Sequence, residues 1–152
     1  MDKGIYCLVL RNPGCTVTVG ALGPVTFTAG WHIYVGSALG SGGLARLERH
    51  IALATLRDKK PTWHVDYLLT SGCFTLRYAI AALTPDPLEC ELAGAIGGEN
   101  VPAFGCSDCA CSSHLFFRES NPRRELEKAY RRIGLTPATT TLMSRKRSKG
   151  YL

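Results

Sequence analysis

Two short apolar runs, Ile5-Tyr6-Cys7-Leu8-Val9-Leu10 and Trp31-His32-Ile33-Tyr34-Val35, constrain this chain more than anything else in it. Both are β-prone, and each carries one tyrosine, so they read as neighbouring strands with their hydroxyls at one sheet surface. Between them, Asn12-Pro13-Gly14 is a strong turn signal. Cys15 to Gly20 and Val25 to Thr28 then alternate polar and apolar residues about Gly23-Pro24, as half-buried strands do. The expected result is an antiparallel meander leading into the strand of Tyr34.

The glycine-rich stretch Gly36 to Gly43 allows close approach of a ligand backbone. A helix follows from Leu44 to Leu56, with Leu44, Leu47, Ile51 and Ala54 at helical spacing and Arg46 and His50 neighbours on one face. Asp58-Lys59-Lys60-Pro61 breaks it, and Trp63-His64-Val65-Asp66-Tyr67-Leu68-Leu69 begins an ordered segment whose type the pattern leaves open. Phe74 to Ala82 resembles a buried strand, Leu88 to Ile96 a short helix, and His114 to Phe117 a last strand. Ser120 or Asn121 can cap a final helix from Pro122 to Ile133, closed by Gly134.

A chain of 152 residues suits one domain, taken as residues 1–135, followed by a basic, flexible tail over 136–152. No stretch approaches the ~20 apolar residues a membrane helix requires, and no signal peptide is evident. Seven cysteines without an export signal point to reduced thiols in a cytoplasm. The net charge of +6 is uneven: from Arg118 onward ten Lys/Arg face three Glu, whereas the preceding 117 residues hold eight against nine acids. The excess at the end points to an anionic partner.

Gly4-Ile5-Tyr6, Tyr34-Val35-Gly36, Arg46 with His50 four residues on, and Glu89 in Glu89-Cys90-Glu91-Leu92 occur in this order. Together they resemble the motifs of the GIY-YIG nuclease superfamily over residues 4 to about 96. Trp63 to Leu69, Glu89 to Ala93 and Ser107 to Leu115 are similar, more narrowly, to a branch found alone or fused to DNA-repair glycosylases. The resemblance implies a single α/β (α+β) domain, a mixed, mainly antiparallel sheet flanked by helices, here with an inserted β-hairpin. It also implies hydrolysis of phosphodiester bonds in structured or damaged DNA with one divalent ion, Mg2+ or Mn2+, and a DNA-repair enzyme as partner.

Under that resemblance Tyr6 is the general base or its relay, which demands a phenol pKa lowered by nearby cations, and Tyr34 orients water or phosphate. Arg46 suits a phosphate clamp, because a guanidinium is permanently charged and forks onto two oxygens. His50 donates to phosphate or relays a proton, and Glu89 is the metal ligand. Two departures stand out. The gap between the triplets is long, an insertion that could reshape the groove, and the family's downstream asparagine is missing, with His114 in the comparable region. The competing reading is a catalytically inactive nucleic-acid-binding module on the same fold.

Cys106, Cys109, Cys111 and His114 are zinc-ligand types within nine residues. An extended Cys109-Ala110-Cys111 pair points both thiols the same way, however, so packed thiols are preferred to zinc. Trp63 and His64 could present rings to an unpaired base of DNA or RNA, against a role for Trp63 as a core anchor. Arg123, Arg124, Lys128, Arg131 and Arg132 would neutralise phosphates.

Overall fold

The structure, a computed structural model, describes residues 2–105 and 111–141. Among these residues seven strands and four α-helices are formed: β1 (Gly4–Asn12), β2 (Cys15–Thr18), β3 (Pro24–Phe27), β4 (Gly30–Ala38), α1 (Ala45–Leu56), α2 (His64–Leu69), β5 (Thr75–Leu83), α3 (Glu89–Ile96), β6 (Leu115–Arg118), α4 (Arg123–Arg132) and β7 (Ala138–Thr141). Five of the strands make one antiparallel sheet in the order β6-β4-β1-β5-β7. This is the expected fold class.

β1 is central, and it reads as an unbroken apolar run because both of its faces are covered. Ile5, Cys7 and Val9 pack with Ile33, Val35, Ile80 and the inward residues Leu92, Ile96, Leu126 and Tyr130 of α3 and α4. Tyr6, Leu8 and Leu10 point the other way, toward Val65, Leu68 and Leu69 of α2 and Leu47 and Ile51 of α1. Helices therefore lie on both sides of the sheet. Arg118 at the end of β6 donates to the carbonyls of Ile96 and Gly97 at 2.8 Å, satisfying the carboxyl end of α3.

Two expectations change. The strands between the tyrosines do not form a meander with the main sheet: β2 and β3 pair only with each other, and β4 pairs directly with β1 over its whole length. The hairpin is instead pinned by a Cys15–Cys73 disulfide and by Val19 in the core. Secondly, the segment taken as a tail from residue 136 supplies the edge strand β7, and residues 142–152 lie outside those described. The prolyl turn holds as expected, with Asn12 Oδ1 accepting from the Gly14 amide at 2.7 Å.

Cysteines also depart from the reduced-thiol reading. Cys15–Cys73 and Cys90–Cys111 are disulfides, and Cys7 is the one free cysteine among the described residues. Cys106 and Cys109 lie outside those residues. Among the described residues no helix is long and apolar enough to cross a membrane.

His32 makes the fold acid-sensitive. It is caged by Phe27, Phe74 and Phe117, its Nδ1 faces the Asn12 amide at 3.2 Å, and burial lowers its pKa to about 4. The unfolded chain takes up this proton near pH ~6.5, whereas the folded chain refuses it until about pH 4. The associated stability is therefore complete above pH ~6.5 and declines as pH falls toward 4, by roughly 3 kcal/mol. Urea unfolding across this window should show the decline, and His32→Gln should flatten it; an equally steep decline in the variant would assign it elsewhere.

Candidate active site

The register of β1 on β4 builds the floor of the site. Tyr6 sits opposite Gly36 and Leu8 opposite Tyr34, so the two tyrosines are diagonal neighbours on one sheet face. Gly4 starts β1 where an added Cβ would lie 2.3 Å from the carbonyl oxygen of Ala82, which explains the glycine by space. α1 brings Arg46 and His50 over this floor, and the N-terminus of α3 brings Glu89 to its rim.

Tyr6, Tyr34, Arg46, His50 and Glu89 then line one pocket of about 250 Å³, together with Trp63, His64, Ser37, Thr62 and His114. All five residues expected to form the site, drawn from four separate elements and spread over 83 positions of sequence, meet there. The hairpin does not line this pocket, so the long insertion leaves its walls alone. His114 does line it, in the region where the sequence lacks the expected asparagine.

A row of buried polar groups runs inward from the floor. The Tyr6 hydroxyl lies 2.9 Å from His50 Nε2, and His50 Nδ1 lies 3.5 Å from Asp66 Oδ1, with all three side chains buried. Asp66 Oδ2 accepts the backbone amides of Thr62 and Trp63 at 2.8 and 3.0 Å, which fixes the carboxylate at the start of α2. Oδ1 has no hydrogen-bond partner within normal range, leaving it aimed at the imidazole. Burial pushes the Asp66 carboxyl up, but the His50 ring and the two amides together hold it below the ordinary range. An ionised Asp66 favours a proton on His50 Nδ1, and Nε2 is then an acceptor for the Tyr6 hydroxyl.

The lowered phenol pKa that base catalysis by Tyr6 demands is not what this environment produces. Burial, reinforced by Tyr34, raises the Tyr6 pKa well above its ordinary value, and the nearby Arg46 charge offsets only part of this. Arg46 itself is held in place, donating to the Ser37 carbonyl at 3.0 Å, with its guanidinium 5.0 Å from the Trp63 ring centre. Arg49 approaches the same indole at 4.9 Å. Trp63 thus serves as a platform for two guanidiniums beside the pocket. His64 Nδ1 accepts the Gly105 amide at 2.8 Å, and burial lowers its pKa, so this ring holds the 101–105 loop as well as facing the pocket.

The basic residues of α4 are not brought to the pocket. Leu126, Ala129 and Tyr130 bury against the sheet face opposite Tyr6, leaving Arg123, Arg124, Lys128, Arg131 and Arg132 exposed on the outside of that layer. Arg123 also pairs with Glu127 at 3.4 Å.

Asp66 is the residue that sequence reasoning missed. The available signal was its place three residues after Trp63 at the head of a helix, where a carboxylate can take up free amides. A family model described as the domain of unknown function DUF123 matches residues 5–135. The chain belongs to the DUF123 family. No curated protein and no solved structure matches it. The DUF123 match spans every residue that lines the pocket.

Proposed function

We propose that the protein is a metal-dependent endonuclease that hydrolyses phosphodiester bonds in structured or damaged DNA. The convergence of Tyr6, Tyr34, Arg46, His50 and Glu89 in one pocket carries this reading. Its order of motifs, like its antiparallel sheet, resembles the GIY-YIG nucleases.

The buried chain Tyr6–His50–Asp66 supports a relay in place of a free phenolate. Tyr6 passes its proton to His50 Nε2 as it receives one from the attacking water, so the hydroxyl is neutral before and after. Asp66 orients the ring and stabilises the imidazolium that forms. Arg46, locked by Ser37 and Trp63, faces the charge that grows on the phosphoryl oxygens. Tyr34 flanks the water. The donor set fits a single Mg2+ or Mn2+: Glu89 is a partly exposed carboxylate on an open pocket, leaving room for the several waters such an ion keeps. Glu89 would hold the ion, which supplies Lewis-acid stabilisation when bound.

Branched, nicked and single-stranded DNA, with RNA of the same shapes in parallel, should separate active from inert substrates in Mg2+ or Mn2+. Arg46→Ala and Glu89→Ala should each slow cleavage by about 100-fold or more. Undiminished cleavage in both variants would sink the assignment. The raised pKa of Tyr6 favours a second reading, a groove that binds nucleic acid without hydrolysis. That reading predicts salt-sensitive binding, unaffected by metal, and no product with any divalent ion.

A further inference from the structure

Cys90, Cys111 and His114 stand apart from the buried row Tyr6–His50–Asp66 and use residues the proposed chemistry leaves over. Their ligand atoms all lie within 4.8 Å of one another. His114 Nε2 is 3.2 Å from Cys111 Sγ, and its Nδ1 is 3.8 Å from Glu89 Oε2. A disulfide needs only its two cysteines. Here a buried imidazole nitrogen is also directed at one of the sulfurs, and the other ring nitrogen faces a carboxylate.

We propose that the reduced chain holds one zinc ion on the Cys90 and Cys111 thiolates and His114 Nε2. Two thiolates neutralise Zn2+, and bonds of about 2.3 Å to sulfur and 2.0 Å to nitrogen put tetrahedral ligand atoms roughly 3.5 to 4 Å apart, within the observed cluster. Glu89 Oε2 stands 3.8 Å from the other ring nitrogen, Nδ1, on the side from which a carboxylate orients a metal-ligating imidazole. The ion clips the first turn of α3 to the loop before β6, and so ties the pocket carboxylate to the wall carrying His114. Forming it from the disulfide takes two electrons from a phosphine, which leaves as its oxide with the oxygen of one water while the two protons of that water go to the thiols; the thiols then release two protons to the solvent on binding Zn2+. Of the expected sequence set, Cys111 and His114 take part here together with Cys90 from α3, and Cys106 and Cys109 lie outside the described residues.

The test uses the full chain, reduced with a phosphine that is then removed under anaerobic conditions. Titration with Co2+ should saturate at one equivalent, with a thiolate-to-cobalt charge-transfer band and tetrahedral visible bands, and Zn2+ should displace it. Cys90→Ser and His114→Gln should each weaken binding at least tenfold. In case either variant fails to fold, alkylation of the reduced wild-type chain with iodoacetamide supplies an independent readout: zinc should slow modification of Cys90 and Cys111. No stoichiometric Co2+ uptake, or alkylation of these two cysteines at the same rate with and without zinc, overturns the proposal. Neither readout involves DNA cleavage, so failure here leaves the nuclease reading untouched, and the converse also holds.

Discussion

Gly36→Ala is expected to destabilise the fold by about 3 kcal/mol and to unseat Tyr6 from His50. A Cβ at this position would lie 2.6 Å from Tyr6 Cζ and 2.7 Å from its hydroxyl oxygen. The clash is with a ring that is 1 % exposed and packed in the core, so moving it costs its packing and its bond to His50. Either β1 and β4 part, losing ladder hydrogen bonds, or the ring swings away and the buried polar row opens. Urea unfolding measures the loss, and a double-mutant cycle locates it: in a Tyr6→Ala background the same change should cost far less, giving a coupling of about 2 kcal/mol. Additive costs would show that Gly36 is needed for some reason other than the tyrosine ring.

On the nuclease reading proposed above, Asp66→Asn should leave the fold nearly intact and reduce cleavage by about 10³-fold or more. The asparagine carbonyl can still accept from the Thr62 and Trp63 amides. Its NH2 group then faces His50 Nδ1 and donates to it, which drives the ring proton to Nε2. In that tautomer His50 can no longer take the Tyr6 proton, the same fault that disables serine hydrolases whose orienting aspartate becomes asparagine. Asp66→Ala should instead lose stability as well, about 2 kcal/mol, because two backbone amides are left without their carboxylate. A turnover number unchanged in Asp66→Asn would remove the relay from the mechanism. Because the Asp66 carboxyl is held below its unfolded range, its own contribution to stability is full above pH ~4 and fades as pH falls through the lower folded value.

The sheet floor was legible because two apolar runs, each with a glycine at the right end of its tyrosine motif, leave few ways to pair. Arg46, His50 and Glu89 were legible through helical spacing and resemblance. Asp66 was not, because its role comes from how α2 packs on α1, and a helix of six residues carries too little periodicity to declare its faces. Cys90 escaped for a related reason. The cysteine motif is one contiguous stretch, whereas this partner sits 21 positions upstream on another element. β7 was hidden by its own composition: an alanine and three threonines on a sheet edge bury little and show no apolar pattern.

The hairpin formed by β2 and β3 leaves the sheet at Asn12 and Gly30, whereas Tyr6 lies six residues back along β1. At strand spacing that is roughly 20 Å. Its turn around Gly23 has no heavy atom within 4 Å of an added Cβ. The insertion is thus a natural splice point: chain can be lengthened, exchanged or fused to a second domain at that tip without disturbing the register that holds Tyr6 against Gly36. Variation between relatives, and labels attached by design, would both be accommodated there first.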